Sequence, residues 1–399
     1  MSDSPWLSII GLGEDGPEGL SAASRKALSD AKIIMGPPRH LTLLGATDAQ
    51  LIEWPVPFAD GIEKLLALRG QPVAILASGD PFWFGAGTSV THHLQAHEWQ
   101  AFPSPSTFSL AASKLGWAVQ DTLCLGLHAA PLQKLRPHLA EGFQSIVLLR
   151  DGKAVEELAT YLTEQAFSDS RIHVLEALGG PNERIRPLVA KDPVPCDIAH
   201  PVCVGIEVRG TGRVLPLTSG KPDDWFENDG QITKRPVRAL TLSALAPKAG
   251  EHLLDIGGGS GSISIEWLMT HPKNKATIIE ANPDRAARIK TNAARFGLGN
   301  LTVIEGNAPA ALANIDAPDA IFIGGGLSEA LLQSLVEKMP FGTRLVANAV
   351  TLESEALLVQ WQSERGGDLL RIELSSVAPI GTKRGWKAAY PRVQWSVIL

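Results

Sequence analysis

Residues 253–268 read LLDIGGGSGSISIEWL. A short apolar run ends in Asp255, passes through Gly257, Gly259 and Gly261, and leads into a helix. That is a buried strand, a glycine turn and a helix, the repeating element of a parallel α/β sheet. The glycines let backbone approach a ligand at the carboxyl end of the strand, and the helix N-terminus offers free N–H groups. The spacing is Gly-x-Gly-x-Gly, and the dinucleotide fingerprint would want another glycine where Ser262 stands. Glu280 closes the next strand, ATIIE (276–280), where a carboxylate can accept two hydrogen bonds from a ribose diol. A dinucleotide site also places an acid there, so the acid alone does not decide. With the turn EGNAP (305–309), the pattern favours S-adenosylmethionine over NAD, and a ligand-free packing loop remains as the plainer alternative.

Outward from this stretch, helix over 234–245 ends at Pro247, and Asn282 with Pro283 starts another that Gly297 closes. Strands LTVIE (301–305), DAIFI (319–323) and TRLVAN (343–348) alternate with helices. Two last strands near 368–377 and 388–398, with no helix between them, predict an antiparallel hairpin-like finish. The N-terminal half opens with WLSII, a loop GLGEDGPEGL and a helix from Ser21. Strands near 123–127, 144–149, 171–177 and 202–208 form a further layer. The stretch between, rich in Gly, Pro and Asp, reads as a linker. The expected division is 1–212 (lobes about 1–116 and 117–212), linker 213–229, and 230–399.

A chain of 399 residues holds two or three domains and needs no disulfide staple. Its 36 basic and 42 acidic residues give −6, which does not suggest a nucleic-acid binder. Residues 1–212 carry 16 Lys/Arg against 23 Asp/Glu (−7), and 230–399 carry 18 against 15 (+3). The basic excess in the second part suits an anionic small molecule. Cys124, Cys196 and Cys203 form no Cys-x-x-Cys pair, which speaks against a cysteine zinc site or disulfide framework. With no apparent signal segment and no apolar run of membrane length, a cytoplasmic protein without membrane, nucleic acid or metal is expected.

QITKRPVRALTLSAL (231–245), LDIGGGSGS, EGNAP and DAIFIGGG together resemble the class I domain that methylates precorrins in cobalamin synthesis, over roughly 228–399. The resemblance implies an S-adenosyl-L-methionine site of Thr233, Gly257, Gly258, Gly259, Ser260, Gly261, Glu280, Asn307 and Ala308. Asn307 stands where relatives often carry Asp. Gly324, Gly325, Gly326 and Asn348 would lie at the mouth where substrate enters. GLGEDGPEGLS (11–21), Arg39–His40, LASGDPFWFGAG (76–87) and PSPSTFSLAASKLGW (103–117) resemble the tetrapyrrole methylase family, a second and unrelated fold. There Glu14 and Asp15 depart from the commoner Gly-x-Gly-Pro-Gly. Carried across, Gly79, Asp80, Phe84, Ser106 and Thr107 are the cofactor candidates. The implied fold is α/β throughout: a two-lobed tetrapyrrole methylase fold followed by a class I Rossmann-like methyltransferase fold.

Both families on one chain imply a bifunctional enzyme with one S-adenosylmethionine site per domain. It would methylate one precorrin at C5 and C15, decarboxylate its C12 acetate and form precorrin-8. A homo-oligomer is expected, because relatives of both halves assemble. The meso carbons of a reduced tetrapyrrole are enamine-like nucleophiles, so attack on a sulfonium methyl needs alignment more than a base. The substrate's carboxylates call for cations at the rim. Lys234, Arg235, Arg238, Lys383 and Arg384 are the candidates after residue 230, and Arg39 and His40 before it. Ordinary solvated surface charge is the alternative for each. Trp83 and Trp386, in motif-bearing loops, could stack on the macrocycle, and His252 reads as structural. An RNA or protein methyltransferase with an N-terminal recognition domain fits poorly with the −7 charge, and a regulator that only binds cofactor needs one site, not two.

Overall fold

The computed structural model describes residues 5–313 and 315–399. It divides into two units, Met1–Leu132 with His138–Val214, and Gln133–Pro137 with Leu215–Leu399.

The first unit has two lobes. In one, β1 (Leu7–Leu12), β2 (Ile33–Gly36), β3 (Gln50–Glu53), β4 (Val73–Ser78) and β5 (Trp99–Phe102) form a parallel sheet ordered β3-β2-β4-β1-β5. Every residue of β1 is buried, as expected for a strand covered on both faces. Alternate residues feed two cores, Ile9 with Met35 and Ile75 on one side, Ile10 with Ile34 and Leu76 on the other. Helices α1 (Ala22–Asp30), α2 (Pro38–Leu44), α3 (Phe58–Leu66) and α4 (Ala86–Thr91) connect the strands, and Ser21 caps α1 by accepting from the Ser24 N–H at 3.0 Å.

After α5 (Thr107–Leu115) the second lobe carries β6 (Leu123–Gly126), β7 (Gln144–Leu149), β8 (Arg171–Glu176), β9 (Arg184–Val189) and β10 (Val202–Glu207), with α6 (Gly152–Glu164) following β7. The sheet order is β6-β7-β10-β8-β9, parallel only between β6 and β7. Strand β9 escaped the sequence reading because RIRPLV holds Pro187 and two arginines. It sits at the sheet edge, where a missing N–H costs no ladder bond.

The second unit contains α7 (Arg235–Leu245), β11 (His252–Ile256), α8 (Ser262–Thr270), β12 (Lys275–Glu280), α9 (Pro283–Arg295), β13 (Leu301–Glu305), β14 (Ala320–Ile323), α10 (Glu329–Lys338), β15 (Arg344–Ala349) and α11 (Leu352–Arg365). Then come β16 (Asp368–Ile372), β17 (Ser375–Ile380), β18 (Lys383–Ala388) and β19 (Arg392–Ile398). The seven-stranded sheet runs β13-β12-β11-β14-β15-β19-β16, parallel from β13 to β15 and antiparallel at β19 and β16.

Two expectations need correction. The finish is four strands rather than two: β16 and β19 pair with each other, and β17–β18 form a separate ribbon between them in sequence. The stretch read as a linker is mostly part of the second unit. Leu215 and Phe226 are buried, and the N–H groups of Gly220 and Lys221 donate to the Glu266 carboxylate at 2.6 and 2.9 Å. Its backbone is satisfied by a side chain, so no periodicity betrays it. No helix among the described residues is long and apolar enough to cross a membrane.

Candidate functional sites

In the second unit the strand order reverses between β11 and β14, and the crevice at such a switch point is where open α/β sheets bind ligands. A cavity of about 590 Å³ lies there, within the range of small-molecule sites. Its wall contains Thr233, Lys234, Gly257, Gly258, Gly259, Ser260, Glu280, Asn307, Ala308, Gly324, Gly325, Gly326 and Asn348. Gly257 has φ +78°, and a Cβ on it would lie 2.6 Å from the Gly325 N, so the two glycine turns touch backbone to backbone. The Glu280 carboxylate accepts the Gly259 N–H at 2.8 Å and the Asn282 N–H at 2.9 Å, one on each oxygen. Each oxygen retains a lone pair for a ligand hydroxyl. The Ser260 hydroxyl is buried with no partner among the described residues.

Gly261 does not join this wall. It turns the chain into α8 at φ +74°, its Cα facing Ile289. Arg238 is a larger correction. Its side chain is 0% exposed, and its Nε donates to Glu266 at 2.7 Å while the other nitrogens serve the carbonyls of Thr233 and Lys221 and the Asp223 carboxylate. It fixes the cavity wall from behind and cannot meet a substrate carboxylate. Arg235, Lys383 and Arg384 are exposed and lie outside the cavity lining, the last two on β18. Trp386, 75% exposed, is on the same strand. Lys234 lines the cavity with its Nζ 3.7 Å from Asp223. His252 is structural, its Nε2 paired with the Thr277 hydroxyl at 2.8 Å. Arg285 and Arg392 also line the cavity and were missed. No local motif marks either.

In the first unit two adjoining cavities, about 570 and 490 Å³, share Ser78, Phe84 and Thr107. Gly79 has φ +53°, and a Cβ there would stand 2.8 Å from the Pro105 carbonyl, so the turns after β4 and β5 meet at their backbones. Asp80 accepts the Phe82 N–H at 2.8 Å. The Ser106 hydroxyl lines the smaller cavity and caps α5, accepting the Ser109 N–H at 3.1 Å and pairing with the Ser109 hydroxyl at 3.0 Å. Phe84 holds a left-handed φ of +55°, half-exposed between the cavities. Trp83 packs on Phe108 at 4.9 Å, which makes it a wall more than a free stacking plate. The Trp54–Phe58 stack, 4.9 Å apart, lines the smaller cavity and was not anticipated.

Arg39 faces the larger cavity and is ion-paired with Glu14, one of the residues that departs from the common glycine loop. Its Nη2 also donates to His40 Nε2 at 2.9 Å and to the Ser78 hydroxyl at 3.1 Å. His40 is buried, and burial, aided by the Arg39 charge, pushes its imidazole down to about 4. It is therefore neutral at pH 7, supports Arg39 and lines the smaller cavity, where it offers no positive charge to an anion.

Family models describe the two parts in turn: tetrapyrrole (corrin/porphyrin) methylases match residues 7–193, and the precorrin methyltransferase domain matches 224–399. A precorrin-6Y C(5,15)-methyltransferase [decarboxylating] of a Sinorhizobium species is 48% identical over 398 residues, covering 98% of this chain and 96% of the relative. The chain belongs to the precorrin-6Y C(5,15)-methyltransferase family. A cobalt-precorrin-6B C(15)-methyltransferase (decarboxylating) of Salmonella typhimurium is 33% identical over 165 residues, 40% of this chain and 85% of that one. The crystal structure of the C-terminal domain of the Rhodobacter capsulatus precorrin-6Y C5,15-methyltransferase is 50% identical, covers 46% of this chain and all of its own, and has a TM-score of 0.45.

Methyltransferases of these families use S-adenosylmethionine, and the second unit's cavity fits it. The unpartnered Ser260 hydroxyl, the cradle between Gly257 and Gly325, and the open lone pairs of Glu280 supply what a ribose and an amino-acid end require.

Beneath the glycine turn of this precorrin-6Y family member, Asp255 is fully buried. It accepts from the Ser264 hydroxyl at 2.7 Å, and its other oxygen has no partner among the described residues. Burial pushes its carboxyl up to about 7, with the Glu280 charge adding to the rise. From about pH 4 to 7 the native state holds a proton that the unfolded chain has released, so this residue's contribution to stability falls as pH rises. Urea unfolding at pH 5 and pH 8 is expected to show that loss, and Asp255→Asn is expected to shrink it. An undiminished difference in the variant would assign it elsewhere.

Proposed function

We propose that this chain transfers two methyl groups from S-adenosylmethionine to one reduced precorrin, and that each unit holds its own cofactor. The first unit acts at C5. The second acts at C15, with loss of the C12 acetate carboxyl as carbon dioxide. The observation that carries this reading is the Glu280 carboxylate, fixed by two backbone N–H groups beside a glycine turn and still open to a diol. The division of labour is supported by the relative named for C15 methylation with decarboxylation, whose 165-residue match is the size of one unit.

When bound, the cofactor supplies an electrophilic sulfonium methyl. The protein's task is then positional. Glu280 and the Gly257–Ser260 turn hold the ribose and amino-acid ends, and Gly324–Gly326 allow close approach at the mouth. The residues at the mouth would hold the meso carbon in line with that methyl, and the proton displaced from the meso carbon would pass to solvent. Loss of carbon dioxide sends its electron pair into the macrocycle, with a proton completing the new methyl.

Full-length protein incubated with labelled S-adenosylmethionine and a reduced precorrin is expected to give a product two methyls heavier and one carbon dioxide lighter by mass spectrometry. A product with a single methyl from the unaltered chain would overturn the two-site reading. A homo-oligomer is part of the proposal, supported by Val377, Ile380 and Trp386 standing exposed on the β17–β18 ribbon.

A further inference from the structure

We infer that Arg392 is the carboxylate-recognition residue of the second unit's site, holding an acetate or propionate group that the tetrapyrrole retains. The inference rests on the methyltransferase reading above and adds the residue that selects its substrate.

Three cations other than the buried Arg238 bear on this cavity. Lys234 lies 3.7 Å from Asp223, and Arg285 donates to Asp229 at 2.8 Å. Arg392 lines the same cavity, half-buried, and its side chain makes no ion pair or hydrogen bond with any described residue. A guanidinium on the cavity wall with no counter-charge of its own is free to take a ligand carboxylate through two parallel N–H bonds.

Sheet order says which ligand. Glu280 ends β12 and Arg392 begins β19, four strands away in the order β12-β11-β14-β15-β19. At about 4.8 Å per strand that is roughly 19 Å along the sheet edge. Arg392 therefore stands far from the carboxylate that faces the cofactor's ribose, on the side left for the second substrate.

Its neighbours are built for the same purpose. Gln394 lies two residues on, hence on the same face, and pairs directly across from Asn348. The Gln394 amide donates to Asn348 Oδ1 at 2.9 Å and to Thr241 Oγ1 at 3.1 Å, and Asn348 donates to Thr241 at 2.9 Å. Thr241 and Gln394 are buried, so this ring fixes the way the Asn348 amide faces. The second Asn348 amide N–H has no partner in this ring, and Asn348 lines the same cavity as Arg392. The group bound here is one that stays on the macrocycle, because pairing with a guanidinium stabilises a carboxylate against losing its charge as carbon dioxide.

The test uses full-length Arg392→Gln and Arg392→Lys. Two readouts are needed: quenching of protein fluorescence by a porphyrin octacarboxylate, and the KM for reduced precorrin at the C15 step. Arg392→Gln is expected to lose one class of porphyrin sites and to raise that KM about 10- to 100-fold. Its kcat should change less than threefold, with S-adenosylmethionine affinity and C5 methylation unchanged. Arg392→Lys is expected to fall between, since it restores the charge but not the planar fork. Equal porphyrin binding by wild type and Arg392→Gln, or a fall in cofactor affinity along with it, overturns the inference whatever the turnover. If the wild-type chain transfers no methyl while Arg392→Gln still loses porphyrin binding, the proposed activity falls and the role of Arg392 stands.

Discussion

Glu280→Ala is expected to weaken S-adenosylmethionine binding in the second unit by about 100- to 1,000-fold while leaving the first unit's site intact. Two hydroxyls of a ribose would donate to this carboxylate, and hydrogen bonds to a charged group contribute about 1.5–3 kcal/mol each. Taking the lower half of that range for both gives about 3–4 kcal/mol, or two to three powers of ten. The substitution also releases the Gly259 N–H, bound at 2.8 Å, so the glycine turn loses its anchor at the point where it approaches the ligand. Titration calorimetry of the full-length protein is expected to show one of two cofactor sites disappearing. The product should gain one methyl and keep its carboxyl. Glu280→Gln is expected to fall between, because an amide oxygen can still accept from one backbone N–H while its NH₂ opposes the other. Retention of both methylations by Glu280→Ala would remove Glu280 from the cofactor site.

What could be read beforehand divides along a physical line. Strands LTVIE and QSIVLL were delimited correctly because an apolar run bounded by turn residues is a local signal. The Gly257–Ser260 turn and Glu280 were legible for the same reason, since strand, turn and acid follow within 30 residues. The cations were not. Whether Arg238, Lys383 or Arg392 reaches the cavity depends on which helix face packs inward and how antiparallel strands register. Nothing in RPVRAL or PRVQW states that. Arg238 falls on the buried face of α7 with Val237 and Thr241, and Arg392 reaches the cavity only because β19 returns antiparallel to β15. The charge state of His40 was not legible either, as adjacency to Arg39 says nothing about the burial that keeps the imidazole neutral. The stretch before Gly230 looked like a linker because its backbone bonds go to Glu266, forty-five and more residues away.

Arg238→Met is expected to destabilise the second unit by about 3–5 kcal/mol, the cost of stripping the partner from a buried charge. Glu266, its side chain 0% exposed like that of Arg238, would keep only the N–H groups of Gly220 and Lys221. The guanidinium also sits 4.8 Å from the centre of the Phe226 ring and serves the Thr233 carbonyl, so one side chain ties residues 221–233 to α7 and α8. At roughly 2–4 °C per kcal/mol for a unit of this size, the fall should be about 10 °C, read by scanning calorimetry of the full chain. Because Thr233 is in the cavity wall, cofactor affinity in the second unit should fall as well. The paired change Arg238→Met with Glu266→Gln separates the causes. If the penalty is the orphaned carboxylate, the double variant recovers much of the single variant's loss, since removing both charges removes the desolvation problem. If it recovers none, packing against Phe226 and the three carbonyl and carboxylate contacts carry the stability. In either case Arg238, named from sequence as a substrate ligand, would alter substrate KM only through the wall it holds.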